Sequence, residues 1–275
     1  MAASCISLGC TPVRFRSRMM AQQRRRLDSE LVRRRLLPSR AAATEAILTG
    51  RVRVAGTVAD KASRLVSPSE SLSVEGPPAR FVGRGGEKLL AAFEAHPFLA
   101  NASKAARAID CGSSTGGFTD CLLQHGAQSV LSVDVGRGQL HQRLLADTRV
   151  TSLERTDIRQ FADQYESELF DLLVADLSFI SLTTVATALV KLCAAEAPMV
   201  LLVKPQFEVG REIVSAGKGV VGSDEDRQMA LDRVRSTFEA LGCDTIGVMD
   251  CPVHGADGNR EFLLILEAPN RAMIV

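Results

Sequence analysis

The sequence predicts an α/β chain: a mostly parallel sheet of seven strands with flanking helices, its last strand antiparallel, behind a small N-terminal α+β domain. Three observations lead there. Residues 106–117, ARAIDCGSSTGG, read as a short apolar strand ending in Asp110 that opens into a glycine turn, with a helix starting at Gly116-Gly117-Phe118. Six further apolar runs follow, most of them separated by stretches long enough for a helix. Charge is also unevenly placed: residues 1–80 carry 15 Lys+Arg against 6 Asp+Glu, whereas 81–275 carry 18 against 26. Strand, glycine turn and helix in that order are Rossmann-like, and such a turn at the C-terminal edge of a parallel sheet is where nucleotide-like ligands bind. Its spacing is not G-x-G-x-x-G, so tight strand-to-helix packing is the alternative use of these glycines.

Residues 1–23 hold three Arg, several Ser and no acid, and lack a long apolar centre, so they read as a disordered basic extension or an organellar transit peptide. From Arg24 to residue 74 the pattern is that of a small folded domain. Leu27, Leu31 and Leu36 mark a first helix, Pro38-Ser39 breaks it, and Ser39 caps a second helix carrying Ala43, Ile47 and Leu48. Gly50 ends that helix, and Val52, Val54 and Val58 alternate as a hairpin around Ala55-Gly56. Arg33, Arg34, Arg35, Arg40, Arg51 and Arg53 then share one small surface, with Arg24, Arg25 and Arg26 just ahead of the first helix. Arginine forks match phosphate oxygens, so a folded RNA is the natural partner.

Residues 75–80, with Gly76-Pro77-Pro78, read as a linker, and a second domain spans 81–270. Its first helix carries Leu89, Leu90 and Phe93 on one side and Lys88 at its start, where a cation opposes the helix dipole. After the central turn, Ser129–Val135 is a strand holding Asp134, an acid placed to meet two ribose hydroxyls. Val150–Leu153 is the third strand, and Asp157 beyond it can meet an adenine amino group. The turn residues Gly112, Ser114, Thr115, Gly116, Gly117 and Phe118 complete the ligand edge with Asp110. Phe170–Ala175 ends in Asp176, and Pro198–Val203 ends in Lys204, which Pro205 biases towards an extended backbone. Ser223 opens a helix with Leu231, Val234, Phe238 and Leu241 inward, closed by Gly242. Strands over Thr245–Met249 and Glu261–Leu266 are too close in sequence for a helical crossover and pair as an antiparallel hairpin.

Parallel strands expose their C-terminal ends along one edge, with neighbours about 5 Å apart. With the fourth and fifth strands adjacent, Asp176 meets Lys204. With the last strand beside the fifth, its beginning brings Glu261 to the same edge, and Lys88 reaches it from the preceding helix. Two lysines and two acids in a cleft beside a ligand turn suit deprotonation of a weak acid such as a ribose 2′-hydroxyl. A lysine serves as base only when burial or a neighbouring cation favours its neutral form.

Asp110-x-Gly112-x-Ser114-Thr115-Gly116-Gly117-Phe118-Thr119, Asp134-Val135-Gly136-x-Gly138-Gln139-Leu140, Ala175-Asp176-Leu177-Ser178-Phe179-Ile180-Ser181, Lys204-Pro205-Gln206-Phe207-Glu208 and Gly258-Asn259-x-Glu261-Phe262 together resemble the TlyA (haemolysin A) family. The N-terminal domain resembles the S4-type RNA-binding domain, departing from it at Arg35, where glycine is common, and at Ala55, where Asn or Asp is common. The resemblance implies an FtsJ-like, S-adenosylmethionine-dependent methyltransferase that modifies the 2′-hydroxyl of ribosomal RNA, typically at cytidine. It implies a Lys88, Asp176, Lys204, Glu261 tetrad with Lys204 as the central base, and Asp176 also beside the cofactor. It further implies ribosomes as the place of action, in the cytoplasm or in an organelle if residues 1–23 are a transit peptide. A non-catalytic ribosomal RNA binder, a membrane-damaging protein and a pseudouridine synthase are the competing readings. Against the membrane reading, no apolar run approaches the roughly 20 residues of a spanning helix. Seven cysteines without a C-x-x-C pair and four scattered histidines point to reduced thiols and away from a zinc site.

Overall fold

The computed structural model describes residues 24–48, 50–76, 80–217, 219–255 and 258–270. The extension or transit peptide read at residues 1–23, and residues 77–79 of the linker, lie outside the described residues. The chain divides into two compact units, Met1–Gly76 and Pro77–Val275.

The first unit runs β1 (Arg25–Arg26), α1 (Leu27–Arg33), α2 (Arg40–Leu48), β2 (Val52–Val54), β3 (Thr57–Val58), β4 (Leu65–Val66) and β5 (Leu72–Val74). β1 pairs with β4, and β2 sits between β3 and β5, all antiparallel. Leu27 and Leu31 of α1, Ala43 and Ile47 of α2, and Val52, Val54 and Val66 form its apolar core. The Ser39 hydroxyl accepts from the Ala42 backbone N–H at 3.2 Å, which is the cap its position predicts. Leu36 is not part of the first helix as its spacing suggests. The chain leaves α1 through Arg35, whose φ of 57° cannot continue a right-handed helix, and Leu36 is exposed.

The second unit runs α3 (Gly85–Ala95), α4 (Pro97–Ser103), β6 (Arg107–Cys111), α5 (Gly117–Gln124), β7 (Ser129–Val133), α6 (Gln142–Leu145), β8 (Val150–Leu153), α7 (Ile158–Gln164), β9 (Leu172–Ala175), α8 (Leu182–Leu192), β10 (Pro198–Val203), α9 (Pro205–Glu208), α10 (Arg211–Ala216), α11 (Asp224–Ala240), β11 (Asp244–Asp250) and β12 (Phe262–Glu267). The strands form one seven-stranded sheet in the order β11-β12-β10-β9-β6-β7-β8, and only β12 runs against its neighbours. Strand order reverses between β6 and β9, so the glycine turn after β6 lies at the switch point where such sheets bind ligands.

The central strands are buried on both faces. Ile109, Leu173 and Leu201 pack with Val185, Leu189, Val234 and Phe238 on one side. Ala108, Leu172 and Val200 pack with Leu89, Phe93 and Leu122 on the other. This is why these strands read as unbroken apolar runs rather than alternating ones. One boundary differs from its reading. β7 stops at Val133, because the Asp134 carboxylate accepts from the Gly136 backbone N–H at 2.6 Å and turns the chain, leaving Val135 72% exposed.

Candidate active site

Four charged side chains meet at the C-terminal edge of the sheet. Asp176 and Lys204 are the first residues beyond β9 and β10, which run parallel and adjacent. Val203 pairs with Phe262 in the antiparallel β10–β12 ladder, which sets Glu261 beside Lys204 at the same edge. Lys88 enters from the first turns of α3, whose apolar side is held by Leu89 and Phe93. Lys204 Nζ lies 2.7 Å from Asp176 Oδ1, and Lys88 Nζ lies 2.6 Å from Glu261 Oε2 and 4.0 Å from Asp176 Oδ2. Both lysines and Glu261 are buried, while Asp176 keeps partial access to solvent. Asp176 thus stands between the side-chain nitrogens of two lysines, and Glu261 pairs with that of Lys88. The four residues expected to converge from sequence do converge.

Residues around the tetrad add features that the sequence alone leaves without a role. Lys204 Nζ also donates to Ser178 Oγ at 2.7 Å and lies 5.9 Å from the Phe207 ring centroid. Phe179 is 92% exposed at a φ of 66°, its ring 5.4 Å from that of Phe207. Glu208 is buried and accepts from Ser181 Oγ at 2.5 Å and from the Leu182 N–H at 2.7 Å. A hydroxyl two residues beyond a strand-end acid is a weak signal for Ser178, and an acid in a four-residue helix gives none for Glu208.

The ligand edge is built by the ends of β6, β7 and β8. Asp110 is buried, and its Oδ2 accepts from Thr119 N–H at 2.9 Å and Thr119 Oγ1 at 2.6 Å. Burial pushes its carboxyl up to about 7, the Thr119 bonds oppose that, and the charges of Asp176 and Asp134 add to it. Its Oδ1 is buried and has no hydrogen-bond partner among the described residues. Asp134 accepts from Ser114 N–H at 2.7 Å, tying the glycine turn to the end of β7. Asp157 caps α7 through the Arg159 N–H and pairs with the Arg159 guanidinium at 2.6 Å, which holds its carboxyl below the usual range. Asp110 thus has one carboxyl oxygen engaged, whereas both oxygens of Asp134 and of Asp157 already accept hydrogen bonds.

Several turn residues serve packing. Gly112, at φ 86°, brings the turn so close to β9 that a Cβ there would sit 2.7 Å from the Asp176 carbonyl oxygen. At Gly116 the side chains of Leu140 and Leu144 occupy the space a Cβ would need, and at Gly117 the Gly86 backbone nitrogen does so at 2.7 Å. Phe118 is buried in the core rather than lining the edge. Ser114 and Thr115 remain open or half-open at the turn.

In the first unit, two buried acids reorganise the arginine surface. Asp28 binds Arg26 at 3.0 Å and Arg40 at 2.8 Å, and Glu30 binds Arg33 at 2.6 Å and Arg34 at 2.8 Å. The Arg33 hydrogen bond leads in bringing the Glu30 carboxyl down to about 2. Arg34 further donates to the carbonyls of Ser67, Pro68 and Glu70, so its charge serves the fold. Arg53 pairs with Glu75 at 2.5 Å, Arg51 donates to the Glu75 carbonyl, and Arg24 lies 3.6 Å from Glu70. Arg25 and Arg35 are exposed without an ion partner among the described residues, as are Lys61 and Arg64, which lie outside the arginine cluster expected from sequence.

Comparison with known proteins accounts for both units. Residues 81–268 match the model of the FtsJ-like methyltransferase family, and residues 25–72 match that of the S4 domain. Over 245 residues, 89% of this chain and 90% of the relative, the chain is 44% identical to the 16S/23S rRNA (cytidine-2'-O)-methyltransferase TlyA of Mycobacterium tuberculosis. It is 34% identical to Hemolysin A of Brachyspira hyodysenteriae over 86% of this chain and 98% of that one. A solved Streptococcus thermophilus structure, described as a candidate hemolysin, superposes with a TM-score of 0.70 at 34% identity, covering 90% of each chain. Among the described residues no helix is long and apolar enough to cross a membrane.

Proposed function

The chain belongs to the FtsJ-like methyltransferase family, in the TlyA-like form that carries an S4 domain ahead of the catalytic one, and we propose that it transfers the methyl group of S-adenosylmethionine to a ribose 2′-hydroxyl of ribosomal RNA, with cytidine as the target nucleotide. One observation carries this reading: Lys88, Asp176, Lys204 and Glu261 meet within hydrogen-bonding or ion-pairing distance beside the switch-point turn. The unpartnered oxygen of Asp110 fits the cofactor edge, where Asp110, Gly112, Ser114, Thr115, Asp134, Asp157 and Asp176 would hold the cofactor. When bound, S-adenosylmethionine supplies a methyl group on a cationic sulfur, open to displacement in line by an oxygen nucleophile.

Lys204 takes the 2′-hydroxyl proton onto its Nζ, which requires the amine to be neutral at that moment. Asp176 holds that amine in place and offsets the charge it gains. Glu261 and Lys88 hold each other, and Lys88 in turn keeps Asp176 from turning away. Phe179 offers an exposed ring on which a base can stack. The S4 domain binds the same RNA through its free basic residues. With ribosomal RNA as substrate, the protein works where ribosomes are, in the cytoplasm or, if residues 1–23 are a transit peptide, in an organelle.

Mass spectrometry of ribosomal RNA nucleosides tests this. Ribosomal particles lacking the modification gain 2′-O-methylcytidine on incubation with protein and S-adenosylmethionine. Lys204→Ala lowers that yield per unit time by about 10²- to 10⁴-fold, with the cofactor Kd within about twofold of the parent. The variant should fold, because Asp176 keeps Lys88 and partial solvent as partners. An unchanged rate in Lys204→Ala rules out this lysine as the base.

A further inference from the structure

We propose that Ser178 is a positioning residue for proton transfer, the second of two acceptors that fix the direction of the Lys204 amine. This rests on Lys204 acting as the base. A neutral amine carries two N–H bonds and one lone pair in a tetrahedral arrangement, and only the lone pair accepts a proton. Asp176 Oδ1 and Ser178 Oγ each lie 2.7 Å from Nζ, so the two N–H bonds have two acceptors and the lone pair takes the direction that remains. With Asp176 alone only one N–H is fixed, and the second N–H and the lone pair can exchange the two directions that remain.

Ser178 is itself held in register with Lys204. The segment from Leu177 to Ser181 leaves β9 and enters α8, where the Ser181 hydroxyl caps Thr183 N–H at 3.1 Å. At that entry, the Glu208 carboxylate takes Ser181 Oγ at 2.5 Å and Leu182 N–H at 2.7 Å. Glu208 lies in α9, the short helix that Lys204 precedes. The two chain segments that leave β9 and β10 are thus joined twice, once through Lys204–Ser178 and once through Glu208–Ser181/Leu182. The second junction holds the backbones of the two segments together, which keeps Ser178 within reach of Lys204. Among the described residues Ser178 has its side-chain hydrogen bond with Lys204 and none with the glycine turn, so its loss should affect turnover and not binding.

The test compares Ser178→Ala, Ser178→Thr and Lys204→Ala in the full chain, measuring kcat and KM for ribosomal RNA, Kd for S-adenosylmethionine, and Tm. Ser178→Ala is expected to lower kcat about 10- to 100-fold, with KM, Kd and Tm close to the parent. Ser178→Thr restores the acceptor and should recover most of kcat. Parental kcat in Ser178→Ala, with Lys204→Ala inactive, overturns the role of Ser178 and leaves the base in place. A threonine variant no better than the alanine one also overturns it. Parental kcat in Lys204→Ala removes the base and the role of Ser178 together.

Discussion

Ala55 and Arg35 hold their backbones in the left-handed region, at φ 50° and 57°, where a Cβ costs roughly 1–2 kcal/mol. Ala55 is followed by Gly56 at φ 80°, and the pair joins β2 to β3 as a two-residue hairpin loop. Two positive φ values in such a loop are the pattern that Asn-Gly serves best. Ala55→Asn should therefore raise the stability of the first unit by about 0.5–1 kcal/mol. The measurement is the denaturant midpoint of the full chain's first unfolding transition, and an unchanged or lowered midpoint counts against it. Both positions were visible in the sequence as departures from the S4-type pattern, because turn chemistry is local. Asp28 and Glu30 were not visible. On a short amphipathic helix a buried acid looks like a solvated one, and only the fold shows that Arg26, Arg40, Arg33 and Arg34 close over them.

At the scale of elements, β8 and β10 have the bounds their apolar runs suggest, whereas β7 ends two residues early. Apolar runs mark strands well where helices cover both faces. They overrun where a side chain takes over the backbone N–H groups, as Asp134 does at Gly136. The contact between α8 and α9 was the least legible feature, since it depends on one buried carboxylate. Burial leads in pushing the Glu208 carboxyl up, and its two donors oppose that. Replacing it by alanine strands the Leu182 N–H and the Ser181 hydroxyl in a buried setting, at a cost of about 1–3 kcal/mol. Glu208→Ala is accordingly expected to lower Tm and, by loosening the segment that carries Ser178, to lower kcat as well. Glu208→Gln keeps one acceptor and should fall between the two. Parental kcat in a Glu208→Ala protein with reduced Tm would separate the fold of this corner from its chemistry.

Across the whole molecule, the position of Glu261 followed from one topological argument: a hairpin cannot be parallel, so the last strand brings its beginning, not its end, to the ligand edge. Charge was harder to read. Residues 1–80 hold 15 Lys+Arg, but Arg26, Arg33, Arg34 and Arg40 are committed to buried acids, so the count overstates what RNA can meet. Arg25, Arg35, Lys61 and Arg64 are the exposed cations without an ion partner among the described residues of the first unit. Removing one cation that neutralises a phosphate should reduce the slope of log K against log salt by about one unit or less. Changing these four residues to glutamine is therefore expected to weaken binding to ribosomal RNA and flatten its salt dependence, with Tm unchanged. Arg34→Gln should do the reverse, lowering Tm through the loss of its bonds to Glu30 and the Ser67, Pro68 and Glu70 carbonyls while leaving the slope in place. Filter binding at several salt concentrations, paired with thermal melts, separates the two sets. An Arg34→Gln protein with a parental melt and a flattened slope would return that arginine to the RNA surface.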